Sequence, residues 1–215
     1  MTTRPYGQFC GLARAVEMVG ERWTLLIVRN LLIGPKRYTD LHKGLPDIPT
    51  NVLSTRLKQL EEAGVAARRA LPHPERGVVY ELTDYGRGLE PALIALGRWG
   101  AATMTSPRPG EVITPDSLAM SFRTTFRPEA ARGANLAFEV RMDDITISLT
   151  VTEGTLAVST DQHPDPDLII ERRDGNPLRG LMAGTLAPAA AIADGSVHVT
   201  GDPDLLDRFV EIFRF

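Results

Sequence analysis

The segment from Pro49 to Gly64 constrains the fold of this chain more than any other. Leu53, Leu57 and Leu60 recur at i, i+4 and i+7, which predicts a helix with one apolar face. Asn51, Ser54, Thr55 and Lys58 occupy the opposite face at i, i+3, i+4 and i+7 and bring only short hydrogen-bonding side chains and one lysine. Solvated faces usually carry long Glu and Lys side chains; here Glu61 and Glu62 stand only at the far end. A helix so slim along its polar face fits the major groove of duplex DNA, where Asn, Ser and Thr meet base edges. The neighbouring segments give it a context. Leu12, Val16 and Val19 predict a first helix ended by Gly20. Trp23, Leu26, Ile27 and Leu31 predict a second, stopped by Gly34-Pro35, and Tyr38 to Lys43 a short third. Val65 to Ala70 and Val78 to Leu82 then read as strands around a loop at 71–77, and Thr83 with Asp84 starts a helix striped by Leu89, Leu93 and Leu96. Four helices, a hairpin and a helix is winged helix-turn-helix order.

Further DNA contacts are expected from residues around that helix. Thr50 stands at its start. Arg56, on its flank, either meets a phosphate or folds back onto an acidic neighbour. Lys36 and Arg37 precede the third helix as phosphate candidates, and the hairpin tip adds His73 and Arg76, suited to backbone or a narrow minor groove.

The second half changes rhythm. A helix is expected at 116–126. Phe138, Val140 and Met142 alternate, as do Ile145, Ile147, Leu149 and Val151; Leu156 with Val158, Leu168 to Ile170, and Val197 with Val199 give further strands. Helices are expected at 177–183 and around 185–193, and Asp202-Pro203 opens a closing helix bearing Leu205, Leu206, Phe209, Ile212 and Phe213. The expected class is α+β, with an antiparallel-type sheet in this half. Two prolines and a glycine in Thr103–Gly110 mark the boundary, dividing the chain into 1–105, a linker at 106–113, and 114–215.

Charge follows the same division. Residues 1–105 hold 14 Lys/Arg against 10 Asp/Glu, and residues 106–215 hold 10 against 17, so a mildly basic half precedes an acidic one. No stretch approaches the roughly 20 apolar residues of a membrane span. One cysteine excludes an internal disulfide framework and fits a reducing cytoplasm. Asp161, His163, Asp165 and Asp167 imitate the start of a calcium loop, but Pro164 and Pro166 interrupt it and the turn glycine is missing. The histidines at 42, 73, 163 and 198 have no metal-ligand spacing, and no nucleophile elbow, phosphate loop or dinucleotide fingerprint occurs. No metal, cofactor or enzymatic activity is therefore expected.

Residues 9–100 resemble the HxlR family of winged-helix transcriptional regulators, which are MarR-like. The resemblance is carried by Cys10, Gly20-Glu21-Arg22-Trp23-Thr24-Leu25-Leu26-Ile27, Gly34-Pro35-Lys36-Arg37-Tyr38, Leu53 to Glu61, Tyr80-Glu81-Leu82-Thr83, Gly86 and Trp99. The family's usual Gly-Gly-Lys-Trp stands here as Gly20-Glu21-Arg22-Trp23. The resemblance implies a homodimer that grips a pseudo-palindromic double-stranded operator with two recognition helices and two wings. The first helix and the Leu89–Trp99 helix would supply most of the dimer contact. It also implies, for some members, a redox or electrophile switch at the place of Cys10; by composition alone a free cysteine is a small buried hydrophobe.

Residues 168–171, 176–184 and 192–202 are similar to the sterol carrier protein 2-like fold, a resemblance extending over about 114–215. It implies a sheet with helices over one face, enclosing an apolar tunnel for a lipid or other hydrophobic small molecule. Phe122, Phe126, Leu181, Met182, Phe209 and Phe213 either line such a pocket or fill an ordinary core. The expected protein is a repressor whose operator affinity responds to a ligand in the second half. The alternative is a regulator that senses through Cys10, with the second half a scaffold or dimerisation module.

Overall fold

A computed structural model describes residues 5–104 and 107–215. Packing divides the chain into two units, Met1–Leu93 and Ile94–Phe215. The expected linker at 106–113 is therefore not where packing divides the chain, and Thr105 and Ser106 lie outside the described residues.

The first unit runs α1 (Gly11–Val19), α2 (Thr24–Ile33), α3 (Tyr38–Lys43), α4 (Thr50–Glu62), β1 (Ala66–Ala70), β2 (Val78–Leu82), α5 (Asp84–Arg87) and the start of α6 (Glu90–Ala101). Ile27, Val28 and Leu31 of α2, Leu41 of α3, and Leu53, Leu57 and Leu60 of α4 are fully buried and form its core. α4 ends in a Schellman turn: Gly64, at φ +70°, donates its amide to Glu61 O (3.0 Å), and Val65 donates to Leu60 O (2.9 Å). β1 and β2 pair antiparallel from Ala66↔Leu82 to Ala70↔Val78. Lys36 and Tyr80 exchange both backbone hydrogen bonds, at 2.9 and 2.8 Å, which adds a one-residue third strand. Thr83 caps α5 as expected, its hydroxyl accepting the Gly86 amide at 3.0 Å, but the single helix expected from there is broken at Gly88-Leu89 and resumes as α6.

The second unit holds the rest of α6, then α7 (Pro115–Thr125), β3 (Asn135–Met142), β4 (Ile145–Thr152), β5 (Thr155–Ser159), β6 (Leu168–Arg172), α8 (Pro177–Ala183), α9 (Pro188–Ala193), β7 (Val197–Gly201) and α10 (Leu205–Ile212). α7 opens with a capping box between Thr114 and Ser117 and Pro115 in its first turn. α10 begins two residues later than expected; Asp202 and Pro203 form the preceding turn, in which Asp202 accepts the Asp204 amide at 3.0 Å.

The sheet order is β5-β4-β3-β6-β7. It is mixed rather than antiparallel, because β3 and β6 run parallel, from Phe138↔Leu168 to Arg141↔Glu171. The reason is the route of residues 160–167, which leave β5 and cross the sheet face to start β6 beyond β3. On the way Asp161 O accepts the Ser148 hydroxyl (2.6 Å), and the His163 amide donates to the buried Glu139 carboxylate (2.9 Å). Arg141 holds the other Glu139 oxygen at 2.6 Å, so this buried charge is paired. The opposite sheet face is apolar and meets the helices.

Within this unit the C-terminal part of α6 is held to the end of α7. The Arg98 guanidinium donates to Thr124 O (2.7 Å) and Phe126 O (3.3 Å). A side chain on Gly97 would meet the Thr124 hydroxyl at 3.1 Å. These contacts explain why the division falls inside a helix and not at the Pro/Gly segment that follows it.

Candidate nucleic-acid interface

The polar face of α4 stands in solvent. Thr50, Asn51, Ser54, Thr55 and Lys58 are exposed, while Leu53, Leu57 and Leu60 anchor the other side. Two hydroxyls are folded back on the helix: Ser54 Oγ donates to Thr50 O (2.9 Å) and Thr55 Oγ1 to Asn51 O (2.7 Å). Such i−4 bonds keep the side chains short against the helix surface and leave their oxygens free as acceptors. Lys58 faces Glu62 at 3.7 Å, both exposed, an ion pair weak enough to exchange for a phosphate.

Tyr38 was not among the expected contacts beyond its place in the family motif. Its hydroxyl donates to Thr50 O at 2.8 Å and lies 3.2 Å from Ser54 Oγ, so α3 is tied to the first turn of α4 just where its polar face begins. The side-chain type and its nearness to Lys36-Arg37 were the available signals.

Two expected contacts have other employment. Arg56 is folded back, as one of its two alternatives foresaw: Nη2 reaches Glu21 at 2.8 Å and Nη1 reaches Gln59 at 2.6 Å. A guanidinium so engaged and mostly covered braces α4 against the segment before α2. Arg37 donates Nη1 to Arg76 O at 2.7 Å, and the absent side chain of Gly77 makes room for it. Arg37 therefore supports the hairpin tip, leaving the exposed side chains of His73 and Arg76 to project from it. Lys36 is half-buried where its backbone joins β2. The hairpin also carries Arg68 and Arg69, missed in the sequence, each held by a carboxylate: Glu61 at 2.7 Å and Glu81 at 2.9 Å.

In the second unit, the four phenylalanines among the six expected pocket residues are packed against one another. Phe122, Leu181, Met182, Phe209 and Phe213 are almost fully buried and Phe126 nearly so. Phe213 lies 4.9 Å from Phe209, 5.6 Å from Phe122 and 5.8 Å from Phe126, centroid to centroid; Phe138 joins Phe209 at 5.4 Å. Ring separations of this size are those of direct contact. The four phenylalanines meet ring to ring and Leu181 and Met182 are buried, which is the arrangement of an ordinary core, the second of the two alternatives for these residues. A groove of about 490 Å³ lies instead beside the edge strand β7, walled by Ile192, Val197, Val199 and Pro203 with Arg173 and His198 on its polar side.

Cys10 is exposed rather than buried and stands at the N-cap of α1. No side-chain cap hydrogen bond forms, yet the amides of Ala13 and then Leu12 point toward the sulfur and hold its pKa below the ordinary thiol value. Arg14 is committed to Glu17 at 3.0 Å. A lowered thiol pKa means more thiolate at neutral pH, so iodoacetamide is expected to alkylate Cys10 faster than free cysteine at pH 7. Mass spectrometry of the labelled protein reads this directly, since the chain has one cysteine. A rate equal to that of free cysteine would show that the helix end does not activate the thiol.

Residues 18–107 match the family described as HxlR-like helix-turn-helix, and residues 105–215 match the alkyl sulfatase C-terminal family, a different name from the sterol carrier protein 2-like one expected. The chain is 40% identical over 86 residues to the HTH-type transcriptional regulator YvaP of Bacillus subtilis, covering 40% of this chain and 80% of that protein. It is 44% identical over 101 residues to an HTH-type transcriptional regulator of Mycobacterium bovis, covering 46% and 60%. Among solved structures, the redox regulator HypR in its oxidised form aligns with TM-score 0.42 and 26% identity over 45% of this chain and 99% of that one. With the family match over its first half and a regulator 40% identical over 86 residues, the chain belongs to the HxlR-like helix-turn-helix family of transcriptional regulators, carrying an alkyl sulfatase C-terminal domain as its second half.

Proposed function

We propose that the protein represses transcription by binding a pseudo-palindromic operator as a homodimer, with α4 in the major groove and the β1–β2 tip over the adjacent backbone. The observation that carries this is the exposed face of Asn51, Ser54, Thr55 and Lys58 opposite a fully buried leucine face. The homodimer is supported by large exposed apolar side chains. Leu12 and Val16 share a face of α1, and Leu96 and Trp99 stand out from α6. The second half is proposed to hold a hydrophobic small molecule or lipid, in the groove beside β7 rather than among the packed phenylalanines. Its occupancy regulates DNA binding only through different affinity for two dimer geometries.

The test uses a duplex selected by the protein from random sequence, titrated by fluorescence anisotropy over a range of KCl. Asn51→Ala is expected to lose about 1–3 kcal/mol of discrimination between that duplex and a scrambled one. Lys58→Ala is expected to weaken both equally and to lower the salt slope by about 1. Wild-type behaviour in both variants would remove α4 from the groove.

A second reading is favoured by one observation, the exposed and acidified Cys10 thiol. In it, oxidants or electrophiles modify Cys10, and the second half acts as a scaffold or dimerisation module. Cys10→Ser protein that still releases DNA on oxidation would exclude it.

A further inference from the structure

We propose that the first unit contains a small-molecule site of its own, a groove between α1 and α5 suited to a small aromatic amine. The groove measures about 350 Å³, within the size range of ligand pockets, and all of its walls lie in the first unit. Ala15 and Met18 of α1 form one side, Val65 the floor, and Asp84, Tyr85 and Leu89 the other side. The walls are mostly apolar, and Asp84 and Tyr85, both exposed, are the polar residues among them. That is the pattern of a site in which shape supplies affinity and a few polar atoms set orientation.

The chemistry of those two groups selects the ligand. The Tyr85 ring is 60% exposed, an unusual cost for an aromatic side chain, and no ring stacks on it among the described residues. Its hydroxyl donates to the Met18 thioether at 3.6 Å, a weak acceptor that a better one displaces readily. A flat ring entering the groove would lie against the Tyr85 face and the polarizable Met18 sulfur, both favourable partners for an aromatic. Beside it the exposed Asp84 carboxylate presents acceptors only, so it favours a ligand that donates and carries positive charge. A cation held there also lies near the Tyr85 π-face. An acid of the same shape would bring its carboxylate against Asp84 and be rejected. Leu12 and Val16, the apolar pair proposed to meet a second copy, are not among the groove walls.

Tryptamine and indole-3-acetate share a ring and differ in the sign of the side-chain charge, which makes them the paired probes. Isothermal titration calorimetry on the full chain is expected to show tryptamine binding at least tenfold more tightly. Asp84→Asn, which keeps a residue suited to a helix start, is expected to weaken tryptamine at least tenfold and erase the preference. Gly88→Leu, which adds a bulky side chain to a residue of the groove wall, its Cβ 3.1 Å from the Tyr85 carbonyl, is expected to abolish binding of both while circular dichroism stays that of the parent. Equal affinity for the two probes, unchanged tryptamine binding in Asp84→Asn, or no binding because a second copy of the chain closes the groove would each overturn the proposal. None of these outcomes depends on operator binding, so failure here leaves the DNA-reading assignment standing.

Discussion

Phe209→Ala is expected to destabilise the second unit by about 3–5 kcal/mol, the cost of deleting a buried aromatic from a packed core. Phe209 is fully buried and meets Phe213 at 4.9 Å, Phe138 at 5.4 Å and Phe122 at 6.1 Å, the last two edge to face. Its removal withdraws contacts from three rings at once, and neighbours fixed by α7, α10 and β3 collapse only partly into the void. A pocket wall behaves differently. Where one side of the ring already faces empty space, fewer contacts are lost and truncation enlarges an existing cavity, costing nearer 1 kcal/mol. Urea unfolding followed by a probe in the second unit separates the two. A change of midpoint worth less than about 1 kcal/mol would return Phe209 to the lining of a ligand cavity.

The difference between wall and core is also where the sequence stopped being informative. Periodicity reports that Phe122, Phe209 and Phe213 face inward, and inward means the same to a helix whether it meets another ring or a void. Local chemistry was far more legible. The split of α4 into leucine and polar faces, the Thr83 cap and the alternation in β3 and β4 are set by residues within a few positions of one another, and the structure shows all of them. What lay beyond reach depends on partners distant in sequence. Arg56 finds Glu21 35 positions away, and Arg37 finds the Arg76 carbonyl 39 positions away. For Arg56 the fold-back was one of two alternatives and only its partner lay out of view; for Arg37, a phosphate candidate, the guanidinium is engaged by a carbonyl. The parallel pairing of β3 with β6 has the same origin. It follows from the path of residues 160–167 across the sheet, fixed by Ser148, Glu139 and Ala137, and strand alternation carries no trace of that path. Cys10 went the other way: composition favours burial for a lone cysteine, whereas its position ahead of α1 leaves it exposed.

Gly86→Ala is expected to cost the first unit about 3 kcal/mol or more, against the sign that helix propensity predicts. Within a helix, exchanging glycine for alanine ordinarily gains up to about 1 kcal/mol. At this position the new Cβ would lie 2.0 Å from Val65 O and 3.0 Å from Val65 C. That carbonyl has nowhere to go. It accepts the Thr83 amide at 3.1 Å and the Thr83 hydroxyl at 3.3 Å, and the Val65 amide is itself held by Leu60 O in the turn that ends α4. Relief of the clash must move either α5 or the junction between α4 and β1, and both routes break backbone hydrogen bonds of a buried corner. Gly11→Ala supplies the control, since Gly11 begins α1 and a Cβ there would meet nothing within 4 Å; it is expected to be neutral or stabilising by a few tenths of a kcal/mol. Thermal unfolding of the two variants side by side decides the matter, and Gly86→Ala melting with the parent would show that the corner yields. Because Val65 sits where α4 hands the chain to β1, a displaced corner also changes the angle between the polar face and the hairpin tip. Operator affinity in Gly86→Ala is therefore expected to fall even at temperatures where the protein remains folded.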